Sequence, residues 1–349
     1  MDTRALNFDT GPLKYTGIIA TGGIGSGKFF ELNGNDTLGR EESRSGHFKD
    51  IHDYCKQHII LHYVKVLLGN YFTVLPVGKI GHDETGNGLF AEMIEVGFNL
   101  QYVQKVPNAS TLFSFCFYYP DGSGGNLTTD NSASSLVDAA CINQALPAIE
   151  KIGSGGIIMA APEVPLSARY RLIELGNQHQ LFCTGSFTSE EIVDAYNSGI
   201  IERMDLLAIN MHEAAALSGL ALEQTHPALI VPEAITKLQQ KNKNILVSIT
   251  GGKAGSWCWD GSTTNYFPAI SSVVKSTAGA GDAFFSGLLC GIATGLSFFE
   301  AQQLATLLAG FSVASPHTIH KGICRESLAD LLQSTTLEFS PKILSLLNR

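Results

Sequence analysis

No Cys-x-x-Cys pair occurs in the chain. Its cysteines, at 55, 116, 141, 183, 258, 290 and 324, are odd in number, which indicates neither a zinc ribbon nor a disulfide framework. A run of Lys or Arg is also missing and the formal net charge is −9, so the electrostatic footprint of a nucleic-acid binder is absent. No apolar stretch reaches the roughly 18 residues that a membrane span needs. The start, MDTRALNFDTGPLKY, lacks the basic patch and apolar core of a secretory leader. These absences predict a soluble protein with reduced thiols in the cytoplasm, with neither nucleic acid nor membrane as partner. Internal repeats and low-complexity tracts are absent too. Charged residues make up 16% against 44% hydrophobic, a globular composition. The 349 residues allow one large α/β domain or two ordinary ones.

What is present is an alternation of short apolar strands and helical stretches. Strand signals lie at 16–21, 71–77, 156–160, 180–183, 205–210 and 245–250, with a helix at 59–68. Thr188 with Glu191, and Ser297 with Glu300, have capping-box spacing. This rhythm predicts a mostly parallel sheet covered by helices on both faces. Residues 33–56 break it with a polar, charged stretch, and 100–107 and 111–120 read as an antiparallel pair joined by Pro107-Asn108-Ala109-Ser110.

The run Ser276-Thr277-Ala278-Gly279-Ala280-Gly281-Asp282 precedes an apolar periodic stretch, 283–295. The glycines therefore fall at a helix start, where free N–H groups and the helix dipole attract anions. Asp282 beside such a nest is placed to take a proton from an attacking hydroxyl. The plainer alternative is a glycine-rich turn whose Asp complements the dipole. A second glycine run, Gly22 to Lys28, has the GxxxxGK spacing of a P-loop, but Phe29 stands where Ser or Thr must ligate Mg²⁺.

STAGAGDAFFSGLL resembles the C-terminal signature of the PfkB/ribokinase family of carbohydrate kinases. Further matches keep family order over about 70–325: Gly78, Gly81, Asp83, Gly86 and Gly97 in the segment 75–103, Asn210 and Glu213 in 205–219, Thr250, Gly252 and Gly255 in 245–256, and Glu163 in MAAPEVPL. The resemblance implies a single ribokinase-like α/β domain over 1–349, with a small β lid contributed by about 25–56 and 99–122. A surface hairpin with a packing role is the alternative to that lid. Also implied is ATP-dependent phosphoryl transfer to a hydroxyl of a small sugar, polyol or nucleoside-like acceptor. In that reading Asp282 is the base and the backbone of Gly279, Ala280 and Gly281 forms the anion hole. Asn210, Thr250, Gly252, Gly255 and Thr277 would bind nucleotide, and Asn210 and Glu213 would hold Mg²⁺ through water. Ordinary helix capping is the other reading of Asn210 and Glu213. A homodimer through the lid is left open. Ser276 replaces an acid often used for K⁺, so K⁺ activation is not predicted. The family's acceptor ligands are missing: Gly27 stands near the place of a substrate-binding Asp, and Cys55-Lys56-Gln57-His58 replaces a glycine-rich turn. Gly25, Ser26, Lys56 and Glu163 are the candidate substitutes, with Lys28 and His58 behind them. That departure keeps a second class of function in view, a nucleotide- or metabolite-binding protein of kinase fold with little turnover.

Overall fold

In a computed structural model, which describes residues 4–7, 13–121 and 124–348, the expected first strand is β1 (Gly17–Thr21), buried at every residue. It lies inside a nine-stranded sheet. Its other members are β4 (Thr73–Gly81), β5 (Tyr102–Val106), β8 (Gly156–Ala160), β9 (Phe182–Gly185), β10 (Leu206–Asn210), β11 (Leu246–Thr250), β12 (Ser256–Trp259) and β13 (Thr264–Phe267). The order across the sheet is β13-β12-β11-β10-β9-β8-β1-β4-β5. From β11 to β5 all neighbours are parallel, and β12 and β13 join by antiparallel pairing. Two apolar layers cover the sheet. One contains the helices Lys56–Leu68, Ala280–Ala293 and Phe298–Ser312, the other Leu166–Gln178 and Pro227–Lys241.

A second, four-stranded sheet has the order β3-β2-β6-β7, from β2 (Gly25–Leu32), β3 (Gly46–Tyr54), β6 (Leu112–Tyr118) and β7 (Gly124–Thr128). This corrects the expected antiparallel pair. Residues 102–106 pair in parallel with β4 at the edge of the large sheet, whereas 112–118 pair in parallel with β2. The physical reason is Asp83, which accepts from the Thr111 hydroxyl at 2.6 Å and from its N–H at 2.7 Å. The chain is thus pinned at the body just where a hairpin would have to close. The expected 99–122 segment accordingly gives only its later part to the small sheet, which continues to 128.

Other expectations shift. The strand expected at 180–183 is β9 at 182–185, because Gln180 takes a left-handed turn with φ 60°. The helix expected from 283 begins at Ala280, and from Ala283 onward it is buried all round rather than on one face. Ser297 and Glu300 form a full capping box. At Thr188 only half of one forms: Glu191 accepts from the Thr188 N–H at 3.1 Å, while its other oxygen pairs with the buried Arg169. All seven cysteines are free, and no helix among the described residues is long and apolar enough to cross a membrane. The N-terminal stretch read for a leader lies partly outside the described residues, as does residue 122, the end of the expected second lid segment.

Candidate active site

The parallel strands end on one side of the large sheet, and the polar residues gather there, as expected for open α/β sheets. Asn210 closes β10 and stands in register with Thr250 at the end of β11. Asn210 caps the helix Met211–Ser218, its side chain accepting from the N–H groups of His212 and Glu213. Glu213 reaches back to the Asn210 N–H at 2.6 Å and to its Nδ2 at 2.9 Å. Capping chemistry is therefore present. Burial pushes the Glu213 carboxyl up to about 7, Lys56 opposes the rise and Asp282 adds to it, so the same side chain also faces the centre of the site.

The helix Ala280–Ala293 begins at Gly279, whose φ of 77° is left-handed. A Cβ there would lie 2.6 Å from the Thr318 carbonyl oxygen, so glycine is required for both conformation and space. Gly281 faces open space. Asp282 follows in the first helical turn, with Lys56 Nζ at 3.6 Å from its Oδ1. Burial raises the Asp282 carboxyl and Lys56 holds it back. Lys56 opens the helix Lys56–Leu68, its backbone N–H donating to Glu163 Oε2 at 3.3 Å. Asp282 first, then Glu163 and Glu213, raise the ammonium above its usual range against the opposing effect of burial. Burial pushes Glu163 up to about 7 against the pull of Lys56. Its backbone has φ 74°, a left-handed conformation uncommon outside glycine and a mark of functional sites.

Two cavities meet at Gly281, Asn210 and Thr250. One of about 60 Å³ also touches Lys56, Glu213 and Asp282. The other, of about 790 Å³, has Gly252, Gly255 and Thr277 on its wall, together with apolar groups such as Ile270, Phe284 and Val313. Sequence reasoning missed that apolar wall, which comes from segments far apart in the chain and carries no local signal. It also missed Thr318. Among the acceptor candidates, Lys56 and Glu163 join Asp282. Gly25 packs against Leu112 and Cys55. Ser26 alternates to the other face of β2, opposite Tyr54 and Phe113. His58 is buried between Tyr54 and Phe98. Lys28 is exposed on β2, and no helix follows the glycine run, so that run does not form a P-loop.

A glycine-opened helix start, a half-buried carboxylate beside it and a cavity of about 790 Å³ at the strand ends are parts that a kinase-type phosphotransferase requires. The sequence model of the pfkB family carbohydrate kinases matches residues 62–323, and the chain belongs to that family. It is 22% identical over 242 residues to a ribokinase of Lactococcus lactis, covering 68% of this chain and 72% of the relative. The fold is ribokinase-like. A Cryptococcus neoformans ribokinase in complex with ADP superimposes with a TM-score of 0.72 at 18% identity, over 91% of this chain and 99% of that one. A Burkholderia thailandensis nucleoside kinase in complex with inosine gives 0.68 at 15% identity, over 91% and 98%.

Proposed function

We propose that this protein transfers the γ-phosphoryl group of ATP to a hydroxyl of a small sugar, polyol or nucleoside-like acceptor, within one kinase domain whose four-stranded sheet is the lid. The observation that carries this reading is the placement of Asp282 beside the open helix start at Gly279 to Gly281, where both cavities meet. ATP occupies the larger cavity against Asn210, Thr250, Gly252, Gly255 and Thr277. The acceptor hydroxyl gives its proton to Asp282 as it attacks, and the backbone N–H groups at 279–281 stabilise charge on the transferring group. Lys56, 3.6 Å from Asp282, keeps the base ionised and adds a cation where negative charge accumulates. The lid excludes water that would otherwise compete for the phosphoryl group.

Asn210 and Glu213 fit a Mg²⁺ held through water: the carboxyl raised to about 7 borders a cavity of about 60 Å³, room for about two waters. Among the described residues no group of three or more His, Cys, Asp or Glu is arranged to hold a metal, as suits an ion shared with substrate phosphates. When bound, the ion neutralises phosphate charge. The same reading places the enzyme in the cytoplasm.

The test is ADP release with purified protein and a panel of sugars and nucleosides. Asp282→Asn keeps ATP affinity and lowers turnover on the order of 10²-fold or more, and turnover within a few-fold of wild type removes Asp282 from the mechanism. Glu213→Gln raises the Mg²⁺ needed for half-maximal rate while leaving acceptor affinity alone. An unchanged Mg²⁺ titration reduces Glu213 to a capping residue.

A further inference from the structure

Among the described residues Arg169 is the largest fully buried side chain, and the reaction proposed above makes no use of it. It stands in the first turn of the helix Leu166–Gln178, a short way after Glu163. Its Nη2 pairs with Glu191, its Nη1 donates weakly to the Ser186 carbonyl at 3.5 Å, and its Nε has no hydrogen-bond partner. A buried ion pair of this kind is weak evidence for stability, because well-packed hydrophobic residues in its place often serve as well or better. Another reason for the arginine lies in what it touches.

That is the loop leaving β9. Glu191 gives one oxygen to Arg169 and with the other accepts the Thr188 N–H at 3.1 Å. The Phe187 ring lies against the guanidinium, its centroid 5.3 Å from Cζ, and is only 2% exposed. Ser186 and Phe187 in turn line the cavity of about 60 Å³ that touches Lys56, Glu213 and Asp282. At its root the loop is tied to the sheet, where the Ser186 N–H donates to the Ala160 carbonyl at 3.0 Å. Beyond that point Arg169 and Glu191 fix it. Burial works against the charge of Arg169, while Glu191 and, more weakly, Glu163 sustain it. One buried cation thus joins the segment after β8, which carries Glu163, to the loop that walls the site.

We propose that Arg169 is a positioning residue that holds Phe187 as a wall against an attacking water beside Asp282, so that the γ-phosphoryl group goes to the acceptor hydroxyl. The inference rests on the kinase reading and gives a cause for its choice of nucleophile. The reaction to be suppressed uses the same parts. A water oxygen attacks the γ-phosphorus, the bond to the ADP oxygen breaks, the water's proton passes to Asp282, and ADP and inorganic phosphate leave. The Phe187 ring carries no donor or acceptor to hold such a water, and a fixed wall leaves it no added room. A wall that yields enlarges the cavity next to the base.

The test is release of inorganic phosphate from ATP and Mg²⁺ without acceptor, for wild type, Arg169→Met, Arg169→Lys and Phe187→Leu, each also titrated with a non-hydrolysable ATP analogue. Arg169→Met should release phosphate on the order of tenfold faster than wild type, with analogue affinity unchanged. Phe187→Leu should do the same, and Arg169→Lys, which keeps the charge without the planar fork, should fall between. A residue that merely supports the fold would not raise this rate. Adding Asp282→Asn to Arg169→Met should remove the extra release, and release that survives counts against the proposal. Variants that bind the analogue and release phosphate no faster than wild type overturn the wall and leave the kinase reading standing. A wild type that binds no analogue overturns both. If Arg169→Met does not fold, Phe187→Leu decides by the same rise or its absence.

Discussion

Lys56 stands among three carboxylates, those of Asp282, Glu163 and Glu213, with 40% of its side chain still exposed. Its charge favours the ionised form of Asp282, which burial disfavours. As the proposed base, Asp282 must be ionised to accept a proton, so the acid limb of the rate profile should fall where Asp282 protonates, above its ordinary value. Lys56→Met removes the effect that lowers that pKa, and the acid limb should move to higher pH. A profile of kcat/KM against pH for wild type and mutant checks this. A lower rate at every pH with an unmoved limb would mean that Lys56 contributes only contacts. Lys56 is a candidate from the sequence because it lies in the segment Cys55-Lys56-Gln57-His58 that stands in for a glycine-rich turn. Its distance to Asp282, some two hundred residues away, could not be read from spacing.

The elements differ in how far local sequence explains them. The helix start at Gly279 was legible because a glycine, an acid and an apolar periodicity lie side by side in the chain. The strands of the large sheet were legible within a few residues because burial on both faces demands short apolar runs. The second sheet was not. The partners of β5 and β6 are set by the hold of Asp83 on Thr111, and no hairpin rule contains that bond. The glycine run was the hardest segment, since its composition suits a phosphate loop while its glycines make space for Glu163, Cys55 and Asp53. Lys28 tests that assignment. It is an exposed residue in the middle of a strand, so Lys28→Met should leave ATP affinity nearly unchanged by calorimetry. A loss of about tenfold, or 1.4 kcal/mol, would return the nucleotide to the glycine run.

Over the whole molecule, the two faces of the small sheet have opposite characters. The inner one is polar, whereas the outer one carries a cluster of Phe30, Phe48 and Phe115 with ring centroids 5.2 to 6.2 Å apart. Phe48 is 61% exposed and Leu127 63%. Apolar surface of this kind is a mark of association, and we propose that two copies cover it in a homodimer. Sedimentation should give twice the chain mass at micromolar concentration, with Phe48→Glu shifting the protein to monomer, and a monomeric wild type would refute the pairing. The attachment of β3 to the body has a further consequence. His52 donates its N–H to His317 Nδ1 at 3.0 Å, and Thr318 returns an N–H to the His52 carbonyl at 3.3 Å. The small sheet and the helix start at Gly279 thus share one short segment of chain. If they act as the proposed lid and phosphate cradle, an acceptor that steadies one also steadies the other, and the two ligands should bind with positive cooperativity. Thermodynamic reciprocity then fixes a number in advance: whatever factor the acceptor adds to ATP affinity, ATP must add to the affinity for the acceptor. A pair of titrations run in both orders measures that factor, and a value of one would show the two binding events to be independent.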